Sequence, residues 1–238
     1  MSKSIIASIK QASKEGKKLL AILIDPEKVI VDEIPSITQK IEGLNANYIF
    51  IGGSTVKKEV TEIVTKKIKE NTKIPLILFP GDYTQISNSA DALLFLSLLS
   101  GRNPEYLIEQ QIKAVPFLKN STLEIIPTGY ILIDGGTISS VLKVSKTTAI
   151  PQENIELAVS TAVAGMYKGK QLIYLEAGSG AKKPVNSKLI STVKQHISIP
   201  LVVGGGIKSK KQLQNAYKSG ADLVVIGTAF ENNLDLAI

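Results

Sequence analysis

The sequence predicts an α/β protein, a modified (β/α)8 TIM barrel forming one domain over residues 1–238. Three observations predict it. Eight short apolar runs recur along the chain. They are continuous rather than alternating, as parallel strands buried on both faces should be. Amphipathic stretches with helix punctuation separate most of them, and 238 residues suit a single barrel. A doubly wound sheet is the alternative. Strand count, length and the functional residues that follow nearly every run favour the barrel.

The elements follow in order. "SIIASIKQASKEG" is a helix ahead of the first strand, with Ile5, Ile6 and Ile9 placed to plug the barrel bottom. "LLAILIDP" (19–26) is strand 1, stopped by Pro26. "YIFIGGS" (48–54) is strand 2, and "TVKKEVTEIVTKKIKEN" after it has helical periodicity. "PLILFPG" (75–81) and "ALLFLSL" (92–98) are strands 3 and 4. "NPEYLIEQQIKAVPFLK" is a helix with Asn103 as N-cap and Pro104 at N1. Its internal Pro116 predicts a kink or an early end. "EIIPTGYILID" (124–134), "LIYLEAG" (172–178), "PLVVGGGI" (200–207) and "LVVIGTAF" (223–230) complete the set. Ser209 and Gly220 bracket a helix between the last two. Only "ENNLDLAI" follows strand 8, so the last helix must be short.

One link is irregular. "DYTQISNSAD", between strands 3 and 4, is too short for loop, helix and loop, so a short loop replaces the third helix. The outer faces of strands 3 and 4, with Leu76, Leu78, Leu94 and Leu96, are then expected to be partly uncovered. They would form an apolar trough from the mouth along the barrel side. Phe79, Tyr83, Leu98 and Leu99 are candidate lining residues. A partner subunit covering the gap is the competing expectation, and a homo-oligomer is expected.

Composition excludes several classes. Without cysteine there is no disulfide, thiolate metal site or thiol nucleophile. With no tryptophan, 5% aromatics and scattered lysines, the chain lacks a stacking platform or basic stripe for nucleic acid. The net charge of +7 suits solvated lysine-rich helices, anionic substrates, or transient contact with an anionic membrane surface. No run has signal-peptide or transmembrane length, so a cytoplasmic protein is expected.

Candidate chemistry gathers at the C-terminal strand ends, where barrels of this class place their sites. Gly204, Gly205 and Gly206 end strand 7 just before a helix N-terminus, a geometry that suits phosphate. Gly227 and Thr228 end strand 8, and "EAGSG" (176–180) ends strand 6. Three neighbouring strand ends with small residues read as one phosphate cradle. Asp25, ending strand 1, is either a turn-forming Asp-Pro residue or a magnesium ligand. Ser54 could add a hydroxyl to the metal or cap a helix. Tyr174 and Glu176 are two apart on strand 6 and share a face. His196, the only histidine, lies before strand 7 at the opposite end and is read as structural. Carboxylate, tyrosine, lysine and metal chemistry remain.

"LIDPEK", "IGGS", "LFPGDYTQIS", "LSLLSGRNPEYLIEQQ", "PTGYILIDGG", "YLEAGSGA", "VVGGGIKS" and "VVIGT" together resemble the geranylgeranylglyceryl phosphate synthases over essentially the whole chain. The resemblance implies a magnesium-dependent prenyltransferase. It would join sn-glycerol 1-phosphate to a polyprenyl diphosphate, forming an ether lipid precursor and diphosphate. It implies Asp25 and Ser54 as magnesium positions. It implies Tyr174, Glu176, Ala177, Gly178, Ser179, Gly180, Gly205, Gly206, Gly227 and Thr228 as the glycerol phosphate site, with Glu176 as base and Tyr174 beside it. Relatives using a heptaprenyl donor carry lysine two residues before the first aspartate. Leu23 stands there in this chain, which favours geranylgeranyl diphosphate. Another phosphate-handling barrel, such as a sugar-phosphate isomerase, and a non-catalytic phosphate-binding barrel are the competing readings.

Overall fold

In a computed structural model, which describes residues 4–231, eight parallel strands close in sequence order into a barrel. Helix α1 (Ile5–Lys14) comes first, capped by the Ser4 hydroxyl on the Ala7 amide. Strand β1 (Leu19–Ile24) leads through short 3-10 turns to α2 (Ile34–Gly43). Next come β2 (Tyr48–Ile51), α3 (Lys58–Asn71), β3 (Leu76–Leu78) and β4 (Ala92–Leu98). A π-helical turn (Glu105–Glu109) runs into α4 (Gln110–Leu118). β5 (Glu124–Leu132) is followed by α5 (Ser140–Ser145) and α6 (Ile155–Tyr167). β6 (Leu172–Glu176), α7 (Ser187–His196), β7 (Leu201–Gly204), α8 (Lys210–Lys218), β8 (Leu223–Ile226) and α9 (Thr228–Glu231) complete the described chain.

Two apolar layers hold the fold, because each strand buries both faces. Outward residues such as Leu20, Ile22, Ile49, Ile173 and Val203 meet the helices. Inward residues such as Ala21, Phe50, Leu94, Tyr130, Tyr174 and Val225 fill the barrel. Ile5 and Ile9 of α1 are buried in that inner layer and Ile6 packs against it, which is the bottom plug the sequence predicts. The N-terminus of α1 is held by Glu124 at the start of β5, which accepts from the Ile5 and Ile6 amides. A negative charge there also complements the helix dipole.

All eight expected strands are present. Pro116 does not end its helix early: it lies inside α4, which runs on to Leu118, the end of the expected stretch. Asn103 caps the preceding turn by accepting from the Glu105 amide. The last helix is short as far as it is described, and "NNLDLAI" (232–238) lies outside the described residues.

The link between β3 and β4 contains no helix. Its consequences differ in part from the expectation. Leu76 and Leu78 do point outward, yet both are fully buried. Ile86 and Ala90 of the link, with Val64 and Ile68 of α3, join them in the outer layer. Leu94 and Leu96 point into the barrel rather than outward, because side chains alternate along a strand and Leu93 and Phe95 take the outer face. The gap appears instead along β4. β3 pairs with β4 only at Ile77–Ala92 and Leu78–Leu93. Beyond that point the Leu96 carbonyl is met by the Gln111 side-chain amide of α4. A glutamine on a buried wall thus replaces a missing strand partner.

Candidate active site

The C-terminal strand ends surround one cleft of about 290 Å³. It is lined by Asp25 and Ser54 on one side and by Glu176, Gly178–Gly180, Gly205, Gly206, Gly227 and Thr228 on the other. Every proposed site residue except Ala177 lines it, and Ala177 is buried directly behind.

The floor is aromatic. The alternation of β5 and β6 sends Tyr130 and Tyr174 inward at paired positions. Phe79, just past β3, stacks on Tyr174 with centroids 5.3 Å apart. Tyr130 meets both rings edge-on, at 5.5 Å and 5.3 Å. The Tyr174 hydroxyl is fully buried and has no hydrogen-bond partner in the structure. An unmet buried hydroxyl costs about 1–3 kcal/mol. Burial pushes both phenols far up, and the nearby Glu176 charge adds to the effect.

Glu176 ends β6, and its side chain is buried at the cradle. Its Oε1 accepts from the Gly178 amide at 2.7 Å. Burial raises its carboxyl above the ordinary glutamate value, and the neighbouring Tyr174 hydroxyl, too poorly aligned to count as a hydrogen bond by geometry, and then the Gly178 amide partly offset this. A side chain at Gly204 or Gly205 could not coexist with this arrangement. A Cβ at Gly204 would sit 2.4 Å from the Tyr174 hydroxyl, and one at Gly205 would sit 2.3 Å from Glu176 Oε1. Gly205 and Gly206 also adopt φ of +81° and +69°, which side chains disfavour. Gly204 and Gly205 therefore let the β7 backbone pass against a carboxylate and a phenol, whereas a Cβ at Gly206 would meet the Pro184 backbone nitrogen at 2.9 Å. Gly227 differs, since a Cβ there would meet Leu23 at an ordinary 3.5 Å. The cradle is closed across its top by Ser179 and Thr228, whose hydroxyls are 3.2 Å apart.

Asp25 follows β1 and accepts from the Glu27 amide at 3.2 Å. Its Oδ2 is 3.7 Å from Lys28 Nζ, which also pairs with Glu231 at 3.1 Å. Gly53 leaves room for this carboxylate: a Cβ there would lie 2.8 Å from Asp25 Oδ1. Ser54 follows directly. One carboxylate, a hydroxyl and open space toward the glycine-lined side of the cleft are a donor set that suits magnesium, which takes few protein ligands and completes its shell with water and phosphate. Among the described residues no group of three or more His, Asp or Glu gathers to hold a metal by protein ligands alone. His196 ends α7 on the surface, with Nδ1 2.7 Å from the Thr192 carbonyl oxygen, away from the cleft.

From the mouth the cleft continues between the β3–β4 link and α4. Ile86, Leu93, Phe95, Leu96, Gln111 and Ala114 line this arm. Of the expected trough residues, Phe79, Tyr83 and Leu98 line the cleft, whereas Leu99 packs outside it against Gly129 and Gly165. Sequence reasoning missed Tyr130, Lys28 and the α4 wall. Tyr130 has the same inward phase as Leu132, so alternation could have found it. Gln111 carried no such signal, because its task exists only once β3 has stopped short.

The chain matches the PcrB family over residues 12–238. It is 58% identical to the geranylgeranylglyceryl phosphate synthase of Zunongwangia profunda over 96% of this chain and 97% of that protein. It is 52% identical to the synthase of the same name from Flavobacterium johnsoniae, over 97% and 95% of the two chains. Its fold superposes on the crystal structure of (S)-3-O-geranylgeranylglyceryl phosphate synthase from Thermoplasma acidophilum in complex with sn-glycerol-1-phosphate. The TM-score is 0.92 at 32% identity, covering 99% of this chain and 94% of that one. This chain therefore belongs to the PcrB family.

Proposed function

We propose that the protein is a geranylgeranylglyceryl phosphate synthase, transferring a prenyl group from a polyprenyl diphosphate to the 3-hydroxyl of sn-glycerol 1-phosphate. The observation that carries this reading is the buried pair on β6. A buried carboxylate and an unpartnered hydroxyl face a glycine-lined cleft, next to an apolar arm leading away. A small phosphorylated polyol suits the first part and a long hydrocarbon suits the second. Relatives of this name at up to 58% identity support it.

In this reading the phosphate of glycerol phosphate lies against Gly178–Gly180, Gly205, Gly206, Gly227 and Thr228. The Tyr174 hydroxyl takes a glycerol oxygen as its missing partner. Glu176, buried and raised, accepts the proton of the attacking hydroxyl. Magnesium, when bound, would neutralise the leaving diphosphate, and Asp25 and Ser54 would hold it. Lys28 adds a cation beside them. Carbon–oxygen bond breakage leaves allylic positive charge on the donor. Phe79, Tyr130 and Tyr174 offer ring faces that stabilise such charge by cation–π attraction. The new ether bond forms on that carbon, the hydroxyl proton goes to Glu176, and diphosphate leaves. Leu23 leaves the β1 side of the mouth apolar, and the arm along β4 suits a geranylgeranyl chain.

The test is product analysis. Purified protein, glycerol phosphate and a series of diphosphates should give one ether product, with diphosphate release that requires magnesium. A sugar-phosphate isomerase would turn over without a prenyl donor. A binding protein would show saturable glycerol phosphate affinity and no release.

A further inference from the structure

The mouth face is polarised. The loop after β1 is acidic on balance: Asp25, Glu27, Asp32 and Glu33 outnumber Lys28, and Ile30 is 62% exposed there. The loops after β5, β6 and β7 are basic. Lys143, Lys146, Lys182, Lys183, Lys208 and Lys211 are all exposed there, and none forms an ion pair among the described residues. Asp134, Glu153 and Glu156 are the acidic residues of the same loops and adjoining helix start. Ile138 stands within this basic sector at 73% exposure, and Val144 at 40%. The loop that carries Ile138 is locked against the β6 loop: a Cβ at Gly178 would meet Ser139 at 2.8 Å, and one at Gly136 would face Lys182. Val144 also lines the cleft.

We infer that this sector docks the barrel mouth onto an anionic bilayer surface. The inference rests on the prenyl-transfer reading for its purpose, since a prenyl donor and an ether lipid product both partition into bilayers. The lysines supply attraction to anionic headgroups, about 1 kcal/mol each near such a surface. Ile138 adds apolar area to that attraction, and binding strength at an interface scales with both. Steering a small free dianion would explain the lysines but gives no role to an isoleucine held out in solvent among them. No helix among the described residues is long and apolar enough to cross a membrane, so the contact is peripheral.

The test uses the full-length protein and sedimentation with phosphatidylcholine vesicles, with and without phosphatidylglycerol, in the absence of substrates. Binding should require phosphatidylglycerol and fall with salt. Lys143→Ala, Lys146→Ala and Lys183→Ala should each lower vesicle affinity about fivefold, the equivalent of about 1 kcal/mol. Ile138→Ser should weaken binding with no change in charge. Turnover of detergent-dispersed donor should be unchanged in all four. Equal binding to both vesicle types overturns the inference, as does binding indifferent to Ile138→Ser. A raised Michaelis constant for glycerol phosphate in detergent, with vesicle binding intact, assigns the lysines to the free dianion instead. Vesicle binding by a protein that never releases diphosphate would refute prenyl transfer and leave the docking surface standing.

Discussion

Glu176→Gln separates the chemistry of the site from its stability. The amide keeps the shape, and its oxygen can still accept from the Gly178 amide, 2.7 Å from Oε1. Loss of a general base should slow the chemical step by roughly 10²–10⁴. Stability should move the other way. Burial raises the Glu176 carboxyl above its ordinary value, so folding favours its protonated form. That contribution is complete below the unfolded glutamate pKa and is lost as pH rises through the folded one. At neutral pH the wild type therefore carries a destabilising buried charge that the variant lacks. A tenfold change in the proton affinity of a carboxyl on folding corresponds to about 1.4 kcal/mol, and 1 kcal/mol moves Tm by about 2–4 °C in a chain of this size. The variant should melt higher at pH 7, and the difference should vanish below about pH 4, where the wild-type carboxyl is protonated. Single-turnover kinetics and melting across pH measure both. The wild-type rate should also have an acid limb above the ordinary glutamate range, and the variant should lack it. Near-normal turnover, or a lower Tm that ignores pH, would refute the assignment.

The remaining expectations concern the cradle, the metal and the arm. Gly227→Ala should fold normally, because its Cβ meets only Leu23 at 3.5 Å, and should raise the Michaelis constant for glycerol phosphate. Gly205→Ala should lose both stability and activity, because φ is +81° and its Cβ falls on Glu176 and the Gly178 amide. Equal melting of the two variants would contradict this. Asp25→Asn should raise the magnesium concentration needed for half-maximal rate while Tm stays close to wild type. Normal turnover at low magnesium would remove Asp25 from the metal site. Leu96→Trp should shorten the preferred donor and leave glycerol phosphate affinity alone, since Leu96 lines the arm and is not part of the cradle. An unchanged product distribution would place the prenyl chain elsewhere.

The barrel was legible from sequence because a strand buried on both faces needs a continuous apolar run, and such runs survive any rearrangement of the chain around them. The glycine-lined side of the cleft was legible for a related reason. Glycines at three neighbouring strand ends reflect backbone geometry, which is written locally. The deficit between β3 and β4 was also local, since ten residues are too few for a helix. Where that deficit opens was decided by tertiary structure alone. Ile86 and Ala90 of the link joined Leu76 and Leu78 in the outer layer, and the cleft formed along β4 instead. Leu94 and Leu96 were placed on the wrong face because an apolar run without polar alternation carries no phase. Only the β3–β4 and β4–β5 registers fix which side points inward. The Gln111 contact and the three-ring floor under Glu176 join residues from separate elements. Their proximity follows from barrel closure, which no single stretch of the chain encodes.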